Sequence, residues 1–258
     1  MTHPNIHLDI AGRVARVVID RPDARNALSL AMMDAVADAV RAADADEAIR
    51  VIALTGSGDI LFSAGVDLKE LPPSRESPDK ARAYDEQLSA AVAAVAACAK
   101  PTVALINGSA IGAAIGFTLA CDIRLAAARA QFRIPVPKLG LLYAPVDTRR
   151  LVDAVGAARA KWLMLTGEGI AAETALEWGL VTQVFESDAF AGDCSRVLEV
   201  LADNAPLSLH YTKRIIDGPD PADSDLVDDA YARIYTSADP AEGLAAAREK
   251  RRPVFKGD

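Results

Sequence analysis

The chain reads as an α/β protein with a parallel-sheet core and a helical carboxyl-terminal part. Three observations predict it. Apolar, β-branched runs alternate with helix-periodic runs through the first half of the chain. A turn rich in Gly, Pro or Asn closes most of these runs. From Leu151 onward helical patterns dominate, broken at Gly156, Gly167 and Gly179. The 258 residues suit one large domain, or a core with a helical appendage.

Val14 to Ile19 is β-branched and ends at the turn Asp20-Arg21-Pro22-Asp23. Ser29 caps a helix predicted to about Ala43, with Met32, Val36 and Val40 at helical spacing. Arg50 to Thr55 is a buried strand, closed by Gly56-Ser57-Gly58. Leu71 to Pro78 is the most loop-like stretch, because its prolines cannot continue a helix. It is a candidate mobile wall or lid. A helix follows from about Asp79 to Ala99, then a strand from Pro101 to Ile106, turned by Asn107-Gly108. Gly112 to Ala120 reads as a buried helix of small residues, and Cys121 to Ala126 as a strand. Asp147 is expected to cap the helix that runs through Val155. Leu180 to Phe185 is a late strand, and three or four helices complete the chain.

Composition narrows the function classes. With 51% hydrophobic and 25% charged residues, disorder is not expected. A formal net charge of −8 argues against non-specific nucleic-acid binding. Cys98, Cys121 and Cys194 are odd in number and form no C-x-x-C pair, so neither a disulfide framework nor a zinc site is indicated. His3 and His7 are four apart, but Pro4 and a strand context argue against a metal pair. The Ala-rich run from Ser89 to Ala99 is too short to span a bilayer. The segment Met1-Thr2-His3-Pro4-Asn5 lacks the features of a signal peptide. The expectation is a cytoplasmic protein with neither membrane nor nucleic acid as partner.

Two turns carry the chemistry. Phe62-Ser63-Ala64-Gly65-Val66-Asp67-Leu68 and Asn107-Gly108-Ser109-Ala110-Ile111-Gly112-Ala113-Ala114 each follow a strand-like run and precede a helix-like one. Each offers unpaired backbone N–H groups at a helix start, where partial positive charge collects. Two such donors converging on one point make an oxyanion hole. Tight helix–strand packing is the competing explanation for the small residues.

These segments resemble the crotonase family, also called the enoyl-CoA hydratase/isomerase family, and the resemblance runs along nearly the whole chain. Asp20 to Leu28 is similar to its R-P-x-x-x-N-A-L segment, and Phe62 to Glu70 to its F-x-A-G-x-D-L-K-E segment. Asn107 to Asp122 is similar to its N-G-x-A-x-G-G-G…C-D segment. The ending Glu249 to Gly257 also fits. The resemblance implies a spiral of repeated ββα units over residues 1–200. It also implies a helical region over 201–258 that mediates assembly into a homotrimer or a dimer of trimers. It implies an acyl-CoA thioester as ligand, with coenzyme A as part of the substrate and no other cofactor.

On that resemblance the backbone N–H groups of Val66 and Ala113 would hold the thioester oxygen. Ala27, Ala64, Asp67 and Leu68 would lie along the coenzyme path, and Arg25 and Lys69 would meet its phosphates. The basic cluster Lys250 to Lys256 is a further candidate for the nucleotide phosphate, and surface charge is the plainer role of such residues. Phe117, Leu141 and Leu142 are candidates for the acyl pocket.

The departures from the family pattern matter as much. Hydratases of the family carry two glutamates, at positions that here are Gly116 and Val136. Neither residue can position a water or give a proton to the α-carbon. The isomerase aspartate position corresponds to Ala144. Tyr143 falls where decarboxylases of the family carry a tyrosine, and Asp147 is the nearest carboxylate; both are candidate catalytic residues. Glu86, on the helix after the Pro-rich stretch, is an outside candidate for a relocated base. The readings left open are an enolate-forming enzyme other than a two-glutamate hydratase, a decarboxylase using Tyr143, and a non-catalytic acyl-CoA-binding protein. A purely structural subunit is a weaker fourth.

Overall fold

The β-branched runs assemble into one large sheet, and the turns between them into a second, smaller one. A computed structural model describes residues 3–218, Asp220 and residues 223–258; Met1 and Thr2, the start of the segment read for a signal peptide, lie outside them. In chain order the first elements are β1 (Ile6–Ala11), β2 (Val14–Ile19), α1 (Leu30–Ala45), β3 (Val51–Gly56) and β4 (Leu61–Ser63). Next come α2 (Leu71–Ser74), α3 (Pro78–Ala96), β5 (Thr102–Ile106), β6 (Ser109–Ile111), α4 (Ala113–Ala120), β7 (Ile123–Ala127) and β8 (Gln131–Arg133). Then α5 (Pro145–Val155), α6 (Ala157–Thr166), β9 (Gly169–Ala171), α7 (Ala172–Trp178) and β10 (Gln183–Phe185) follow. The chain ends in α8 (Phe190–Asp203), α9 (Pro206–Asp217), α10 (Ser224–Thr236) and α11 (Asp239–Glu249).

The large sheet has the order β1-β2-β3-β5-β7-β10 and is parallel except for the β1–β2 hairpin. Period-two alternation sorts its residues between two cores. Ile52 and Leu54 of β3 join a core with Met33 and Val36 of α1, Val92 of α3 and Ile115 of α4. Val51 and Ala53, on the opposite face, pack with Phe190, Cys194 and Leu198 of α8. Because both faces are covered, these strands read as continuous apolar runs. Ser29 caps α1 as expected, its Oγ accepting from the Met32 amide at 3.2 Å.

The small sheet has the order β4-β6-β8-β9, with β9 antiparallel to the rest. Each of its strands has only three residues. Runs that short carry no readable alternation, so β6, β8 and β9 escape a residue-by-residue reading. The fold is nevertheless the α/β crotonase-like one, with helices at the carboxyl end.

Two local expectations are corrected. Leu71–Ser74 is a helical turn rather than a loop, because Pro72 and Pro73 occupy its first turn, where no amide hydrogen is needed. Arg75 then ties this turn to α3 through Asp85 at 2.8 Å, so the stretch is braced. Asp147 is not a cap: Ala144 takes that position with no side-chain bond, and Asp147 sits inside the first turn of α5. Among the described residues no helix is long and apolar enough to cross a membrane.

Candidate functional site

Two of the motif segments that resemble the family, Asp20 to Leu28 and Phe62 to Glu70, are clasped together. Ala64 N donates to Arg25 O, Leu28 N to Gly65 O, and Asp67 N to Leu28 O, a short parallel bridge. Side chains reinforce it. Ser63 Oγ donates to Asn26 O at 2.7 Å, Arg21 pairs with Asp67 at 2.8 Å, and Glu70 accepts from the Leu30 amide. Asp67 lies below the ordinary carboxylate range because it accepts from the Lys69 amide and from Arg21. Asn26, buried and in the left-handed region, fastens the Ser57 and Leu61 carbonyls. Asn107 does the same for Gly56 and Gly58. These motif residues shape the backbone, a role the sequence reading left unassigned.

The clasp sets the turn after β4 beside the turn after β6, at the carboxyl ends of two parallel strands, the usual place for a ligand in α/β proteins. Gly65 has φ +85°; a Cβ there would collide with the Ile111 carbonyl and stand 3.1 Å from Ala113 N. Only glycine permits that approach. Among the described residues neither the Val66 nor the Ala113 amide donates to a protein acceptor. Ala113 opens α4, so its amide belongs to the orphan set at a helix start. Two free amides so close together can both donate to one carbonyl oxygen.

Both residues line a cavity of 660 Å³. Tyr143, Asp147, Arg25, Ala27, Ala64, Asp67, Leu68 and Lys69 line it too, as do Leu141, Leu142 and Val136. Phe117 does not: it is fully buried in the core. Glu86 lies on the solvent face of α3, while Tyr84, Asp85 and Leu88 of that helix face the cavity. Residues 250–256 stay away from the cavity within one chain; Arg251 is held by Glu242, and the Lys256 amide by Asp239. Arg25 and Lys69 have no ion partner among the described residues and sit at the cavity as available cations.

Of the four aspartates that line the cavity, Asp147 is the buried one. Asp147 is 2% exposed, and Arg150 Nη1 donates to its Oδ1 at 2.8 Å. Its Oδ2 lies 2.7 Å from where a Cβ on Gly116 would be. Any side chain at 116 would therefore compete with the Asp147 carboxyl for the same space. Burial pushes the Asp147 carboxyl upward, against the opposite pull of Arg150. Tyr143 is pushed well above the usual phenol range by burial, then by the Asp147 charge, so it stays protonated. Its hydroxyl donates to Gly112 O at 3.2 Å, just before the Ala113 amide.

The Pro-rich stretch and the helix after it do form a wall, as α2 and α3, but through Arg75, Tyr84, Asp85 and Leu88, which the sequence did not single out. Arg75 donates to Ala81 O and Asp85, and its guanidinium lies 5.2 Å over the Tyr84 ring. Tyr84 is 4% exposed, and its hydroxyl has no protein partner. An i, i+1, i+4 grouping of Tyr84, Asp85 and Leu88 on one helix face was the available signal.

Taken together, the fold and cavity define an α/β protein with paired free amides at strand ends and one buried carboxylate lining the same cavity. The chain belongs to the enoyl-CoA hydratase/isomerase family, whose sequence model matches residues 9–258. It is 33% identical to the (E)-benzylidenesuccinyl-CoA hydratase of Thauera aromatica, over 98% of this chain and 99% of that one. It is 32% identical to the 2,3-dehydroadipyl-CoA hydratase of Escherichia coli, over 95% of this chain and 96% of that one. An enoyl-CoA hydratase/carnithine racemase structure from Magnetospirillum magneticum superposes with a TM-score of 0.95 at 34% identity, covering 100% of this chain and 97% of that one.

Proposed function

We propose that this protein binds an acyl-CoA and moves a proton at the carbon next to the thioester, the chemistry of an enoyl-CoA isomerase. The Val66 and Ala113 amides donate to the thioester oxygen and stabilise the enolate. Asp147 Oδ2 removes the α-proton and returns it farther along the conjugated chain. No net atom is gained or lost, and no cofactor beyond the coenzyme A of the substrate takes part. The observation that carries this reading is the carboxylate of Asp147 in the space that Gly116 leaves. A buried carboxyl whose pKa burial raises is a stronger base than an ordinary aspartate, which suits it to taking and giving a proton.

The relatives named above as hydratases support the ligand class more than the reaction. Hydration of a double bond in this family's manner uses two glutamates, and Gly116 and Val136 supply neither. Tyr143 acts as a positioning residue that holds the Gly112 carbonyl. Arg25 and Lys69 serve the coenzyme phosphates. We further read the protein as cytoplasmic, and as a homotrimer or dimer of trimers. Exposed Tyr231, Tyr235, Leu244 and Val254 near its carboxyl end support a covered face.

The test is α-proton exchange of butyryl-CoA in deuterium oxide, followed by NMR. Wild type exchanges the proton, and Asp147→Asn loses about 10²–10³-fold in rate with acyl-CoA affinity retained. Unchanged exchange in Asp147→Asn overturns the assignment. Binding without exchange favours a non-catalytic acyl-CoA-binding protein. Rapid hydration of crotonyl-CoA overturns the residue argument, and exchange that depends on Tyr143 instead favours the decarboxylase reading.

A further inference from the structure

We propose that Arg150 is a positioning residue for the reaction: from outside the cavity it takes one carboxylate oxygen of Asp147 and leaves the other to move the proton. The proposal rests on the reading of Asp147 as the base. Asp147 and Arg150 lie three residues apart on α5, so their side chains share a face of that helix. Arg150 Nη1 donates to Oδ1 at 2.8 Å. Among the described residues no other group donates to the Asp147 carboxyl. Its Oδ2 stands against the space where Gly116 has no side chain. Asp147 lines the cavity, whereas Arg150 does not. The guanidinium therefore acts on a ligand only through the carboxylate.

An aspartate turns easily about its last torsion and can present either oxygen. One fixed donor on Oδ1 selects a single orientation, which proton transfer within hydrogen-bond reach requires. The same contact opposes burial. Asp147 is 2% exposed, and burial raises its carboxyl while Arg150 pulls it back toward the ionised, basic form. No neighbouring element supplies a second cation for that pull. Tyr143, in the loop before α5, stays protonated. The helix α4, packed against α5, has no titratable residue. On α6, Arg159 is engaged by Glu177 and Trp178, and Lys161 is exposed. On α5 itself, Arg149 pairs with Asp153.

The experiment is the pH profile of butyryl-CoA α-proton exchange in deuterium oxide, for wild type, Arg150→Met, Arg150→Lys and Asp147→Asn. Arg150→Met keeps an apolar stem and removes the charge and the donor. Its acid limb should move to higher pH by about one pH unit or more, because Asp147 loses the charge that favours its ionised form. Its plateau rate should fall roughly tenfold as the carboxyl loses its fixed orientation. Butyryl-CoA affinity by calorimetry should hold within about twofold, because Arg150 does not line the cavity, and this also reports a folded variant. Arg150→Lys keeps the charge and should hold the limb within about half a pH unit of wild type. Should Arg150→Met not bind, Arg150→Gln, equally neutral, takes its place with the same limb expected. With exchange dependent on Asp147, a limb that stays in place in the neutral variant overturns the proposal alone. So does a limb that moves as far in Arg150→Lys as in the neutral variant. Absence of exchange in wild type, or exchange unchanged in Asp147→Asn, overturns the reading of Asp147 as base and this proposal with it.

Discussion

The cavity has two unlike walls. One is made of backbone: the Val66 and Ala113 amides, set by a clasp between residues 21–30 and 63–70. The other is made of side chains: Asp147, Tyr143 and, farther along, Tyr84. The backbone wall stands in the motif segments that resemble the family, while the side-chain wall brings Asp147 against the space beside Gly116. On the proposed function, binding depends on chain geometry and proton transfer on which helix delivers a carboxyl.

That contrast can be broken from either side. The largest effect is expected from Gly65→Ala, which forces a Cβ against the Ile111 carbonyl at a positive φ. Stability should fall by about 2–3 kcal/mol in urea unfolding, and acyl-CoA affinity by roughly tenfold or more. Intact affinity would mean that the backbone wall is not the thioester site.

Next is a double-mutant cycle on the shared space. Gly116→Glu alone should destabilise by about 2–4 kcal/mol, because it drives a second carboxyl into the first. In an Asp147→Ala background part of that cost should disappear, a coupling of roughly 1–3 kcal/mol. Additive effects would mean that the two positions do not compete.

The smallest effect is a pH drift. Asp147 is raised in the folded state, so the folded chain holds its proton more tightly than the unfolded chain. Stability from this group is therefore greatest below the ordinary aspartate range and declines as pH rises through the raised value. Asp147→Asn should remove that decline, so its Tm should gain on wild type as pH rises. A mutant Tm that loses ground to wild type as pH rises would place the group's pKa below its usual value.

The difference between the walls also explains what was legible in sequence. The Val66 and Ala113 turns stand in long, specific motifs, and every residue proposed from them except Phe117 lines the cavity. Asp147 was legible as a lone carboxylate but not as the occupant of the space beside Gly116, because α4 and α5 meet only in three dimensions. The local pattern even favoured a cap, a role that the chain gives to Ala144. Phe117 was misplaced for a related reason. On a helix buried all round, no apolar stripe shows which face meets a pocket and which meets the core. Tyr84 escaped notice because an aromatic at helical spacing looks like core until its hydroxyl is found unpaired.

The clasp also reaches beyond chemistry. The turn that presents Val66 takes its shape from acceptors and donors some forty residues earlier, at Arg25 and Leu28. A chain begun after Leu30 would still spell the whole Phe62 to Glu70 segment. It would have nothing to hold that turn open and no bridge to aim its amide. The donor pair is thus a property of chain closure, assembled when the beginning of the molecule docks.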